Sequence, residues 1–189
     1  QNRMGIGDMV IFLPFIEAIF KKFGFPVSIL VKENSKAVQF LKNNKAIDEI
    51  IILDRGNKIK NGRHEGIVGS YNLAKDLKKY NFDKIFIFNS SFRFNLIAKV
   101  SGIKDIYQYP LFKKKNQHII DTAKKFLKKE LNVEIESNPQ IFINDQLVES
   151  SKSNYKIDEK EVNILLGIGG SGPTKRIPSK TFINFMKLV

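Results

Sequence analysis

Four short apolar runs, Val27 to Val31, Ile50 to Leu53, Lys84 to Phe88 and Ile106 to Tyr109, are separated by segments whose apolar residues recur every three or four positions. Runs this short and this apolar suit strands covered on both faces, and parallel strands need helix-length crossovers between them. The alternation therefore predicts an α/β fold, a parallel sheet with helices on both sides. Ile11, Phe12, Phe15, Ile16, Ile19, Phe20 and Phe23 predict the first helix, which Gly24 ends. Further helices are predicted from Asn34 or Ser35 through Leu41, over Tyr71 to Lys79, over Phe92 to Val100 and over Gln117 to Leu131. Beyond these the pattern weakens: a strand at Ile141 to Ile143, a helix from Asp145, a polar linker, a strand at Val162 to Leu166 and a helix from Ser179. Gln1 to Arg3 are too few to make the strand that ought to feed the first helix, so the chain is expected to begin inside that strand.

Composition narrows the function classes. With 189 residues, 42% hydrophobic and 27% charged, the chain can bury a core and does not read as disordered. It holds no cysteine, which removes disulfides and thiolate metal sites and fits a reducing compartment, the cytoplasm. No apolar run approaches the roughly 20 residues of a membrane span, and nothing reads as a secretory leader. The net charge of +13 would suit an anionic membrane or a nucleic acid, but the lysines are scattered, as at Lys21-Lys22, Lys78-Lys79 and Lys128-Lys129. Aromatic residues do not interleave with a basic stripe, so a nucleic-acid partner is not expected. His64 has no second ligand at useful spacing, and no metal site is expected.

Three stretches carry candidate chemistry. The first is Met4-Gly5-Ile6-Gly7-Asp8, running into the helix through Pro14. Glycines there leave backbone amides open, and Asp8 reads either as the residue capping the helix or as a carboxylate held at a cleft rim to take a proton. The second is the long connection from Asp54 to Ser70, with Arg55, Lys58, Lys60 and Arg63, readable as a solvated loop or as a clamp for an acidic substrate. At the end of the run Lys84 to Phe88 stand Asn89-Ser90-Ser91, and polar residues at the C-terminal end of a strand in such a sheet are where ligands bind. The third is Gly167-Ile168-Gly169-Gly170-Ser171-Gly172-Pro173-Thr174-Lys175-Arg176-Ile177-Pro178, placed between a predicted strand and a predicted helix. Glycines that let the backbone approach oxygens, two hydroxyls and two cations are the ingredients of a phosphate cradle. The spacing matches neither the P-loop nor the dinucleotide fingerprint.

Taken in order, the Gly-Asp turn with its helix through Pro14, the stretch Ile85 to Arg93, His118 ahead of a helix, and Ser171 to Pro178 resemble the glycosyltransferase family 9 enzymes, the heptosyltransferases of lipopolysaccharide core synthesis. The resemblance implies a GT-B architecture: a Rossmann-like acceptor-binding domain over residues 1-154 and, over 155-189, the first strand, loop and helix of a second Rossmann-like domain that binds the nucleotide sugar. On that basis the chain is expected to be a fragment, inactive by itself. Asp8 would be the general base of an inverting transfer from an ADP-sugar. Gly169, Gly170, Ser171, Gly172, Thr174 and Lys175 would hold the donor diphosphate without a metal or other cofactor. Gly7, Arg55, Lys58, Lys60, Arg63 and Arg93 would face an anionic, lipid-linked glycan acceptor at the inner membrane surface, the enzyme being cytoplasmic and peripheral. Two rival readings are a phosphate- or nucleotide-binding module without catalysis and a basic peripheral membrane binder.

Overall fold

The structure, a computed structural model, describes residues 5–56, 61–111, 118–169 and 176–188. The chain divides into two compact units, Gln1–Phe142 and Ile143–Val189.

The first unit alternates as expected: α1 (Ile6–Phe23), β1 (Val27–Val31), a 3-10 turn (Glu33–Ser35), α2 (Ala37–Phe40), β2 (Ile47–Ile52), α3 (Gly66–Lys78), β3 (Lys84–Ile87), α4 (Phe92–Val100), β4 (Asp105–Gln108) and α5 (Ile119–Leu131). β1 pairs with β2 in parallel, Leu30 opposite Ile51 and Val31 opposite Ile52. β3 pairs with β4 in parallel, Lys84 opposite Asp105 and Ile87 opposite Gln108. Among the described residues these are two separate two-stranded sheets.

Successive strand residues point to opposite faces, and burial follows that parity. On one face Ile29 and Val31 of β1 pack with Met9, Leu13 and Ile16 of α1. On the other, Leu30 and Ile51 pack with Leu73, Ala74 and Leu77 of α3. β3 divides the same way: Phe86 and Phe88 lie against Phe12 and Phe15 of α1 and Phe126 of α5, while Ile85 and Ile87 lie against Ala98 of α4. Two helical layers therefore sandwich the strands, α1, α2 and α5 on one side and α3 and α4 on the other. α1 reaches both half-sheets, because its apolar residues cover two stripes rather than one.

The sequence placed these elements well, with three corrections. α1 begins at Ile6, with Gly5 as its cap, so Asp8 is the third residue of the helix and not its cap. Neither Gly5 nor Gly7 needs an unusual backbone: positive φ belongs to Gly24, Gly56, Gly66 and Gly102. α3 starts five residues before Tyr71, and Gly69 is what permits it. A Cβ there would lie 2.2 Å from the carbonyl carbon of His64, so only glycine lets the first turn of α3 close on that residue.

In the second unit, α6 (Asp145–Asn154) and α7 (Ser179–Met186) form where predicted, α6 capped by Asn144 through the Gln146 N–H at 2.7 Å. The strands expected at Ile141 to Ile143 and Val162 to Leu166 do not form among the described residues. Apolar content is not enough for a strand, which exists only when a neighbour takes its backbone hydrogen bonds. Leu165 is 98% exposed.

Candidate functional site

The carboxyl ends of β2 and β3 and the first turn of α1 meet along one edge of the first unit. Phe12, one turn beyond Asp8, packs edge-on against Phe88 at the end of β3, with ring centroids 5.2 Å apart. That contact sets the N-terminal turn of α1 beside the end of β3. Gly7 is exposed, and a Cβ on Gly5 or Gly7 would meet nothing within 4 Å, so the turn is open above. Asp8 is half-buried, and its Oδ2 accepts the Gly5 N–H at 3.0 Å. One oxygen thus serves the helix end, where the helix dipole also favours a negative charge, and the other has no hydrogen-bond partner among the described residues.

The next part of the edge is the connection after β2, which is pinned at three points. His64 is buried; its Nδ1 accepts the Asp54 N–H at 3.1 Å and its Nε2 donates to Asp76 of α3 at 3.2 Å. Arg63 binds the same carboxylate through two nitrogens, Nε at 2.8 Å and one terminal nitrogen at 3.0 Å, and Lys79 adds a bond of 3.0 Å. These donors, Arg63 first, hold the Asp76 carboxyl well below its ordinary range against the opposing effect of its burial. Arg93, near the start of α4, donates to the His64 carbonyl at 2.6 Å, which ties the end of β3 to the loop after β2.

Arg93 is the more unusual of the two arginines still available. Its Nε is buried with no hydrogen-bond partner. Burial, then the positive charge of Arg55, lowers its pKa from the ordinary guanidinium value, with Glu65 opposing. The Arg55 and Arg93 guanidinium groups therefore lie close enough to feel each other's charge.

The turn at Asn89 to Ser91 is braced from β4. Gln108 donates to the carbonyls of Asn89 at 3.0 Å and Ser91 at 2.9 Å, Asn95 donates to Gln108 at 2.9 Å, and the Asn89 side chain accepts the Ser91 N–H at 2.9 Å. Sequence reasoning did not single out Gln108, Asn95 or Asp76. The available signal was an amide at the end of an apolar strand, Gln108 after Ile106 and Tyr107.

The structure sets Arg55 within electrostatic reach of Arg93, engages Arg63 in an ion pair with α3, and places Gly7 and Asp8 in the first turn of α1. Lys58 and Lys60 lie outside the described residues, as do Gly170, Ser171, Gly172, Thr174 and Lys175 of the glycine-rich loop. Gly169 is described, exposed and free of close neighbours. Among the described residues no group of three or more His, Asp or Glu could hold a metal ion, and no helix is long and apolar enough to cross a membrane.

No family model matches the chain, and no curated protein matches it. Among solved structures it is similar to the crystal structure of the glycosyl transferase family 9 from Veillonella parvula DSM 2008, at 21% identity and a TM-score of 0.72. The match covers 98% of this chain and 56% of that one, so the chain spans a little over half of the neighbour's length. The likeness establishes the fold: an α/β chain of the GT-B type.

Proposed function

We propose that the chain carries the acceptor-binding part and the beginning of the donor-binding part of an inverting glycosyltransferase of the family 9 type. The observation that carries this reading is Asp8, a half-buried carboxylate with one oxygen unengaged, on an open helix turn at the carboxyl edge of a parallel sheet. The GT-B type fold and the ordered sequence motifs support it.

In this reading, an acceptor hydroxyl lies against the free oxygen of Asp8, which takes its proton as the hydroxyl oxygen attacks the anomeric carbon of the donor. The bond from that carbon to the diphosphate breaks on the opposite face, ADP departs with the electron pair, and the configuration inverts. Gly169, Gly170, Ser171, Gly172, Thr174 and Lys175 hold the diphosphate and stabilise the charge that develops on it. Arg55 and Arg93 bind an anionic group of the acceptor, and Arg63 holds the loop in place. The finer assignment, residues 1-154 for the acceptor and 155-189 for the start of the donor domain, follows the sequence motifs. So do the choice of an ADP-heptose or related donor, a lipopolysaccharide-core or other surface-glycan acceptor, and a cytoplasmic site at the inner membrane.

The test is Asp8→Asn in the complete protein. The amide keeps an acceptor for the Gly5 N–H but cannot take a proton. kcat should fall roughly 10²- to 10⁴-fold while acceptor binding is unchanged. Transfer that survives within about tenfold removes Asp8 from the role of base.

A further inference from the structure

His64 is buried at the base of the connection after β2. Its backbone N–H donates to the Asp54 carbonyl at 2.8 Å, and its ring Nδ1 takes the Asp54 N–H in return at 3.1 Å. Both backbone polar groups of Asp54 thus go to one residue, ten positions on. The Asp54 carboxylate closes the same pinch, accepting the N–H groups of Gly56 and Arg63 at 3.0 Å each. The two segments lie so close that a Cβ on Gly62 would stand 2.1 Å from the Gly56 nitrogen. Arg55 is therefore held between two fixed neighbours.

The carbonyl of His64 accepts from Arg93 at 2.6 Å. One residue thus reaches both arginines, Arg93 directly and Arg55 through Asp54. Like charges repel, and two long side chains stay side by side only when the backbones that carry them are fixed. His64 supplies that fixing. A neutral imidazole suits the place because it sets an acceptor and a donor on opposite sides of one small ring. Here the acceptor meets Asp54 and the donor meets Asp76.

We infer that His64 is a positioning residue: by its ring and its own backbone it holds Arg55 beside Arg93, so that the two guanidinium groups grip a single phosphate or carboxylate group of the acceptor. The inference rests on the proposed assignment of both arginines to the acceptor. His64 touches no substrate itself. Its bond to Asp54, rather than its bond to Asp76, sets the affinity for that group, because Asp54 is the neighbour of Arg55.

The test compares two variants of the full chain that divide the ring between them. His64→Asn keeps an acceptor for the Asp54 N–H and gives up Asp76, whereas His64→Gln keeps a donor for Asp76 and gives up Asp54. Inorganic phosphate is the probe, titrated against chloride at matched ionic strength and followed by NMR at the side-chain Nε–H signals of Arg55 and Arg93. The wild type and His64→Asn should bind phosphate alike, and His64→Gln at least about tenfold more weakly. The Asp54 amide should exchange at least about tenfold faster in His64→Gln, and within about threefold of the wild type in His64→Asn. A histidine that served stability alone would give the opposite order, since the bond to the Asp76 carboxylate is the charge-assisted one. That order overturns the inference. So does phosphate binding that survives His64→Gln, which leaves the acceptor assignment standing. Phosphate that moves neither arginine signal in the wild type overturns the acceptor assignment and the inference with it. If neither histidine variant folds, Gly62→Ala opens the pinch with the ring intact and should weaken phosphate binding as much; unchanged binding there overturns the inference.

Discussion

The two units obey the same sequence rules and reach different ends. In the first, apolar periodicity becomes burial: Phe15, Leu73, Ala123 and Leu127 have essentially no exposed surface, and apolar strand residues such as Leu30, Ile51, Phe86 and Ile87 find a helix on their own side. In the second, α6 and α7 carry no buried residue at all, and Val162 and Leu165 stand 87% and 98% exposed. A helix makes its backbone hydrogen bonds within its own segment, so it can be wound without a distant partner, though short helices gain little stability that way. A strand, and a core, need partners at long range, and only the first unit supplies them among the described residues.

This contrast can be broken most forcefully at the aromatic cluster. Phe15→Ala should cost about 3–5 kcal/mol in denaturant unfolding, because it empties the space shared by α1, β3 and α5. A loss below about 1 kcal/mol would mean that α1 does not bridge the half-sheets. Next in size is Asp76→Asn, which weakens the bonds to Arg63, His64 and Lys79 together; an unfolding loss of about 1–3 kcal/mol is expected. The same variant sharpens the pH dependence. A carboxyl whose folded pKa is depressed adds stability that is complete above its unfolded pKa, about 4, and lost as pH falls below that value. Between pH 5 and pH 2, roughly, the wild type should lose more stability than Asp76→Asn, and parallel acid curves would exclude Asp76 as the hub of the loop. The smallest effect belongs to the second unit: Leu165→Ala should change stability by no more than about 0.5 kcal/mol.

Much of the first unit was legible because its signals are local. Periodicity located α1, α4 and α5 within two residues or so at each end and named Phe12, Phe15, Ile16 and Ile19 of the buried surface of α1; that this surface spans two half-sheets is what no single-helix pattern announces. The long-range ties were hidden. Arg63 and Arg55 look alike as loop cations, yet Arg63 meets Asp76 thirteen residues on, and Arg55 stays near Arg93. Asp8 was singled out as the residue capping the helix or as a general base; locally it reaches back to Gly5 from inside the helix. The start of α3 was missed because the cue was Gly69, whose value lies in a contact with His64 and not in its own backbone angles. Val162 to Leu166 shows the converse, an apolar run with strand composition and no ladder.

The most direct test of the account is native-state hydrogen exchange measured along the whole chain. The account predicts the slowest amides in α1, α3 and α5, intermediate protection for the pinned loop from Arg63 to Gly69, and near-unprotected exchange in α6 and α7. Protection of α7 equal to that of α1, or rapid exchange through Phe12 to Ile19, would contradict it.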